Sequence, residues 1–164
     1  MVAHPPGAAR AGDGRCGTLV GAMNIDYAFF ADTATVPPDG KVYVHGGGFS
    51  AVSVPSLPAR IAFAVVAGFR FGAEDANATH HVQLRLLDAD DRLVVPPVDL
   101  QFQSAGPPPV PGREVTVPTV SYLQPMFGEP GTYAASYWSG DQQLFRVPLY
   151  VEEQLQPAVG PLPN

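Results

Sequence analysis

The clearest signal along the chain is alternation. Val82, Leu84 and Leu86 fall on one parity and His81, Gln83 and Arg85 on the other, which is the period-2 signature of a strand with one buried and one wet face. After the turn sequence Asp88-Ala89-Asp90-Asp91 the pattern resumes, with Val98, Leu100 and Phe102 opposed to Asp99, Gln101 and Gln103. A third unit lies near the C-terminus, where Thr132 to Trp138 and Leu144 to Val151 flank Ser139-Gly140-Asp141-Gln142 and predict a hairpin. In its second strand Phe145, Val147, Leu149 and Val151 share one face, and Leu144, Arg146, Pro148 and Tyr150 the other. Pro148 lacks an amide proton, so its position must have a free side. Ile61 to Phe69 is apolar on both parities between Arg60 and Arg70, the pattern of a central strand covered on both sides.

Punctuation supports an all-β reading. Residues 23–152 hold 14 prolines and 11 glycines, with turn signals about every 8 to 12 residues, the spacing of a sandwich or barrel. The expected fold is an antiparallel two-sheet sandwich of about seven to nine strands with little or no helix. Gly106 to Gly112, with Pro107, Pro108, Pro109 and Pro111, predicts an extended polyproline-like crossing between sheets.

The ends differ in character. Residues 1–22 contain five Gly, five Ala and two Pro without apolar periodicity, so they are expected to be a disordered extension; Met23 is read as the biological start. Residues 153–164, with Pro157, Pro161 and Pro163, are expected to be a flexible tail. The domain is therefore placed at 23–152. At 164 residues in all, one such domain buries enough surface to stand without disulfides or a structural metal.

Charge narrows the partners. Nine basic residues against 15 acidic ones give a formal charge of −6, a field that repels nucleic acid and anionic membrane surfaces. Eight of the nine basic residues are Arg and only Lys41 is Lys, consistent with a GC-rich genome. The longest apolar run, nine residues, is far short of the roughly 20 that a spanning helix needs, and no export signal precedes the domain, so the expected compartment is the cytoplasm. Cys16 is the sole cysteine, which excludes intrachain disulfides and a multi-thiolate zinc site.

Three separated segments carry a resemblance. Met23-Asn24-Ile25-Asp26-Tyr27-Ala28-Phe29-Phe30-Ala31-Asp32, then Lys41-Val42-Tyr43-Val44-His45-Gly46-Gly47-Gly48, then Pro130-Gly131-Thr132-Tyr133 before the hairpin, resemble an uncharacterised bacterial family of short β-sandwich proteins. The resemblance spans about residues 23–152 and implies a fold, with no activity and no catalytic residues to transfer.

Candidate chemistry is sparse. His45-Gly46-Gly47-Gly48 spells an oxyanion-type segment, but no Gly-x-Ser-x-Gly elbow accompanies it; glycines after a strand over Lys41 to Val44 more simply permit positive φ, a bulge or a close backbone approach. His80 and His81 are adjacent, so on a strand they diverge and do not share a metal. Asp88, Asp90 and Asp91 are the one partial calcium-like cluster, without the glycine and distal Glu of an EF-hand, and Asp side chains cap turn amides of this kind. Asp26 and Asp32, six residues apart on a strand, lie about 20 Å from each other, too far for paired-carboxylate chemistry. Tyr137 and Trp138, beside the hairpin tip, offer a platform for a sugar or a peptide; the alternative role for Trp138 is the large core aromatic between the sheets, and that role is expected.

The reading is a non-enzymatic binding or interaction module for a protein or small ligand, with His45, Tyr137 and Trp138 as candidate ligand-binding residues and no cofactor. Oligomeric state is left open. The alternative is a small metal-dependent or hydrolytic enzyme using His45 with His80 or His81, which requires three such side chains to converge.

Overall fold

The computed structural model describes residues 23–72, 75, 78–103 and 113–154. The expectations for residues 1–22, including Cys16, for the proline-rich crossing, and for the C-terminal tail past Gln154 lie outside them.

Eleven strands follow in chain order: β1 (Asn24–Thr35), β2 (Tyr43–Phe49), β3 (Ala51–Val54), β4 (Ala59–Arg60), β5 (Phe63–Phe71), β6 (Thr79–Leu87), β7 (Val98–Gln103), β8 (Val115–Leu123), β9 (Met126–Phe127), β10 (Gly131–Ser139) and β11 (Gln142–Glu153). They build a four-stranded sheet in the order β2-β1-β5-β8, a five-stranded sheet in the order β3-β11-β10-β6-β7, and a small β4-β9 pair. The nine strands of the two main sheets match the expected sandwich, and every pair is antiparallel except β3 with β11.

The two sheets share a strand corner. β2 borders the four-stranded sheet and β3 the five-stranded one, with only Ser50 between them, so one continuous run of chain folds over that side of the sandwich. The Ser50 carbonyl accepts from the Tyr150 amide at 2.7 Å and the Val54 carbonyl from the Gln154 amide at 2.8 Å.

β5 is central, between β1 and β8, and is buried along its length apart from Arg70. Its inward parity, Phe63, Val65, Ala67, Phe69 and Phe71, meets Val82, Leu84 and Leu86 of β6 and Ala135, Tyr137, Leu149 and Val151 of the hairpin in one core. Fully burying each large member contributes about 1.5–3 kcal/mol. Aromatic edges meet faces within that core: Phe30 with Phe63 at 5.3 Å and Phe69 with Tyr137 at 5.5 Å between ring centres. Below the hairpin, Phe127 packs on Tyr133 at 4.7 Å, and the Tyr133 hydroxyl donates to the Glu129 carbonyl four residues upstream at 2.8 Å, fixing the entry into β10.

Pro148 sits where its missing donor is harmless. It pairs with Ala134 on one side, whereas β3 covers β11 only from Tyr150 to Glu153. The glycine triplet is placed differently from expectation: β2 does not stop at Val44 but runs through the glycines to Phe49. Gly46 and Gly48 adopt φ of 61° and 87°, and the register with β1 slips between Phe30 and Ala31. The bulge is thus built inside the strand.

Candidate functional site

The outward face of the five-stranded sheet carries a cluster of polar side chains on a strand scaffold. Strand parity places His81, Gln83 and Arg85 of β6 there, beside Asp99 of β7 and Trp138 of β10; Gln83 stands in register with both Asp99 and Trp138. With Asp141 from the hairpin tip these residues surround a recess of about 360 Å³.

A directed hydrogen-bond chain organises it. Gln83 Nε2 donates to Asp99 Oδ1 at 2.9 Å, which fixes the amide orientation and turns Gln83 Oε1 toward Arg85. That oxygen accepts from Arg85 Nε at 3.1 Å and from Nη2 at 2.8 Å. Held this way, the guanidinium lies over the Trp138 ring, 4.8 Å from its centre, a cation–π arrangement. Two of the five guanidinium protons are used by Gln83, leaving three for other acceptors.

Two donors beside this chain have no partner. Trp138 Nε1 and Ser136 Oγ are both buried and unbonded among the described residues, and Ser136 stands in register with Arg85. A buried donor of this kind gains from an acceptor brought within reach, because leaving it unpaired costs about 1–3 kcal/mol. The recess is thus lined by the Trp138 indole and the Arg85 guanidinium together with the carboxylates of Asp99 and Asp141.

The expected ligand-binding residues are dispersed. Tyr137 belongs to the core, fully buried against Phe69, and burial pushes its phenol well above the usual tyrosine range. Trp138, one residue on, points to the opposite face and is half-buried in the recess. Of the two, Tyr137 and not Trp138 is the large inter-sheet aromatic, a correction to the expected core role of Trp138; both parities of β10 carry apolar residues, so its alternation alone does not set the face. His45 is exposed on β2 in the other sheet. Gln83, Arg85, Asp99 and Asp141 form no motif that marks a site in the sequence, although the wet parity of β6 and β7 contains three of them.

The remaining candidates have structural partners. Asp88 Oδ1 accepts from the amides of Asp90 and Arg92, each at 2.9 Å. Asp90 pairs with Arg92 at 3.1 Å, and Asp91, at φ 58°, pairs with Arg146 at 2.9 Å. These carboxylates close a turn and anchor it to β11. His80 Nε2 lies 3.2 Å from buried Asp75 Oδ1, off the line of a hydrogen bond, and its ring packs on Phe71 at 5.5 Å. His45 stands in the other sheet from His80 and His81, and among the described residues no three His, Cys, Asp or Glu side chains draw together as a metal site would require. Asp26 turns to Arg70 of β5 and to the Thr116 hydroxyl of β8 at 2.6 Å; the Arg70 guanidinium, then the Thr116 hydroxyl, hold its carboxyl below the usual range.

Fold and site together describe an all-β sandwich bearing a polar recess on one sheet. The model of a family described as "Family of unknown function (DUF6941)" matches residues 26–152, and the chain belongs to that family. No curated protein matches the chain.

Proposed function

We propose that this protein is a non-enzymatic binding module whose recess beside Trp138 takes a small neutral polyhydroxylated ligand of the saccharide kind, and that it acts in a bacterial cytoplasm. The observation that carries the reading is the unpartnered Trp138 Nε1 of a residue lining the recess, next to an Arg85 with protons to spare. Hydroxyl groups both accept and donate, so one ligand can serve these donors and the Asp99 and Asp141 carboxylates together. Arg85 already covers one face of the indole, so recognition runs through hydrogen bonds at the ring edge and not through stacking on that face. The arginine-rich, lysine-poor composition supports a bacterial source, and the single cysteine is consistent with a reducing compartment. The quoted Lys41-x-Tyr43 and Gly46–Gly48 segments are proposed as the mark of the family.

Trp138 is the chain's one tryptophan, so its emission reports on the recess alone. Titration with neutral mono- and oligosaccharides should give a saturable change in emission that Arg85→Ala and Asp99→Ala abolish without altering the far-ultraviolet circular dichroism. Absence of any response to saccharides at tens of millimolar, or a response equal in both variants, rejects the ligand class; a response to free amino acids instead moves the reading to a peptide ligand.

A further inference from the structure

The outward face of the four-stranded sheet is built in the opposite way, and we infer from it that two copies of this chain pack face to face through that sheet. This inference is independent of the saccharide reading.

Its floor is made of small apolar residues. Ala31, Ala34, Ala64 and Val66 are at most 1% exposed, yet they lie outside the sandwich core, in a separate cluster roofed by Tyr27, Phe29, Val44 and Val120. The roof is low because glycines lie beneath it. A Cβ on Gly68 would fall within the Tyr27 ring, and one on Gly47 would come 2.5 Å from Val44 Cγ1 and 3.2 Å from the Phe29 ring, so these side chains pack closely over glycine backbone. Tyr122 adds to the same surface. Its hydroxyl donates to the Ala34 carbonyl at 2.5 Å and lies 2.9 Å from Thr33 Oγ1; with the polar atom turned inward, a side chain 59% exposed offers mainly its ring.

Charge and extent select a second copy as the occupant. At −6 the whole chain repels its like, so two copies meet best where unpaired charge is absent. The charged residues at one end of this face, Asp26, Arg70 and Glu114, are tied into ion pairs on Arg70. Four strands at about 4.8 Å spacing and about eight residues of 3.3 Å each make a face of roughly 500 Å². Two such faces bury about 1,000 Å², the lower bound for a specific contact, which corresponds to a weak, two-fold, self-complementary dimer.

Sedimentation velocity of the full chain from about 5 to 200 µM, around the micromolar dissociation constants of small interfaces, should show a monomer–dimer equilibrium. Phe29→Lys should weaken it at least about tenfold, whereas Leu93→Lys, exposed on the turn after β6, should leave it unchanged. Hydroxyl-radical labelling of the unmodified chain needs no variant: Phe29 and Tyr122 should lose reactivity as concentration rises, and Leu93 should not. A monomer throughout the range overturns the inference, as does a dimer indifferent to Phe29→Lys. Phe29 and Tyr122 already protected in dilute monomer would mean that the chain covers this face itself, and that also overturns it.

Discussion

The two outward sheet faces of this sandwich solve the same problem in contrary ways. On the five-stranded sheet Gln83, Arg85 and Asp99 form a hydrogen-bonded row that suspends a cation over Trp138; on the four-stranded sheet Tyr27, Phe29 and Val44 pack closely over glycines and leave an apolar surface. Both faces present aromatics. What differs is the residue beneath or above the ring, and that decides whether the ring's neighbourhood is read by hydrogen bonds or by contact area.

The largest effect should come from filling the floor of the apolar face. Gly68→Val places atoms where the Tyr27 ring and the Thr116 methyl now lie, overpacking that costs about 1–3 kcal/mol; urea unfolding should show it, and pairing it with Tyr27→Ala should recover a large part. Full loss in the double variant would mean that the ring is not what the glycine accommodates.

Next is an alkaline effect on the residue just inside the polar face. Burial raises the Tyr137 phenol in the folded state, so its contribution is intact below the ordinary tyrosine value near 10 and drains away as pH rises past it, because the unfolded chain loses that proton first. Tyr27 and Tyr133 are raised in the same sense, again mainly by burial. Melting temperatures should therefore fall above about pH 10, and Tyr137→Phe should reduce the slope. It should also be neutral or stabilising at pH 7, since its buried hydroxyl has no partner.

Smaller again is Arg85→Ala. An exposed or half-buried cation–π contact is worth about 0.5–1 kcal/mol, so the variant should unfold almost as the parent does while its tryptophan emission shifts to the red as water reaches the indole. An unshifted spectrum would show that Arg85 does not shield the ring.

The smallest effect belongs to the rim of the apolar face. Asp26 titrates low in the folded state because Arg70 and then Thr116 stabilise its charge; the benefit is present above the ordinary carboxylate value near 4 and is lost as pH falls through the folded value. Asp26→Asn should flatten the acid limb of the stability profile slightly, and added salt should blunt the difference between variant and parent.

Where one parity was apolar and the other wet, the sequence was enough: β6, β7 and the second strand of the hairpin all face as their alternation requires. The doubly apolar run became central β5, and Pro148 found a strand margin. The recess was less legible because β10 is apolar on both parities, so Tyr137 and Trp138 exchanged their expected roles; the answer lay in register, and β10 and β11 slip by one residue between Tyr137 and Trp138. The glycine triplet showed the reverse. Positive φ, a bulge and a close approach were all foreseeable from three glycines, but that a strand would continue through them depended on Ala31 and Phe30 of β1 offering partners. The hydrogen-bond chain to Arg85 needed three strands assembled side by side, information that no single segment carries.

The corner at Ser50 also sets an order of events during synthesis. β3 has β11 as its strand partner in the sheet, joining Ala51 to Tyr150 and Val54 to Glu153, so a ribosome must deliver nearly a hundred further residues before that early segment can be paired. Until then Ala51–Val54 waits as an unmatched ribbon next to an unfinished hairpin. Closing so long a loop delays assembly, and the nascent chain passes through a stage in which its N-terminal half displays a bare strand to every other chain emerging nearby.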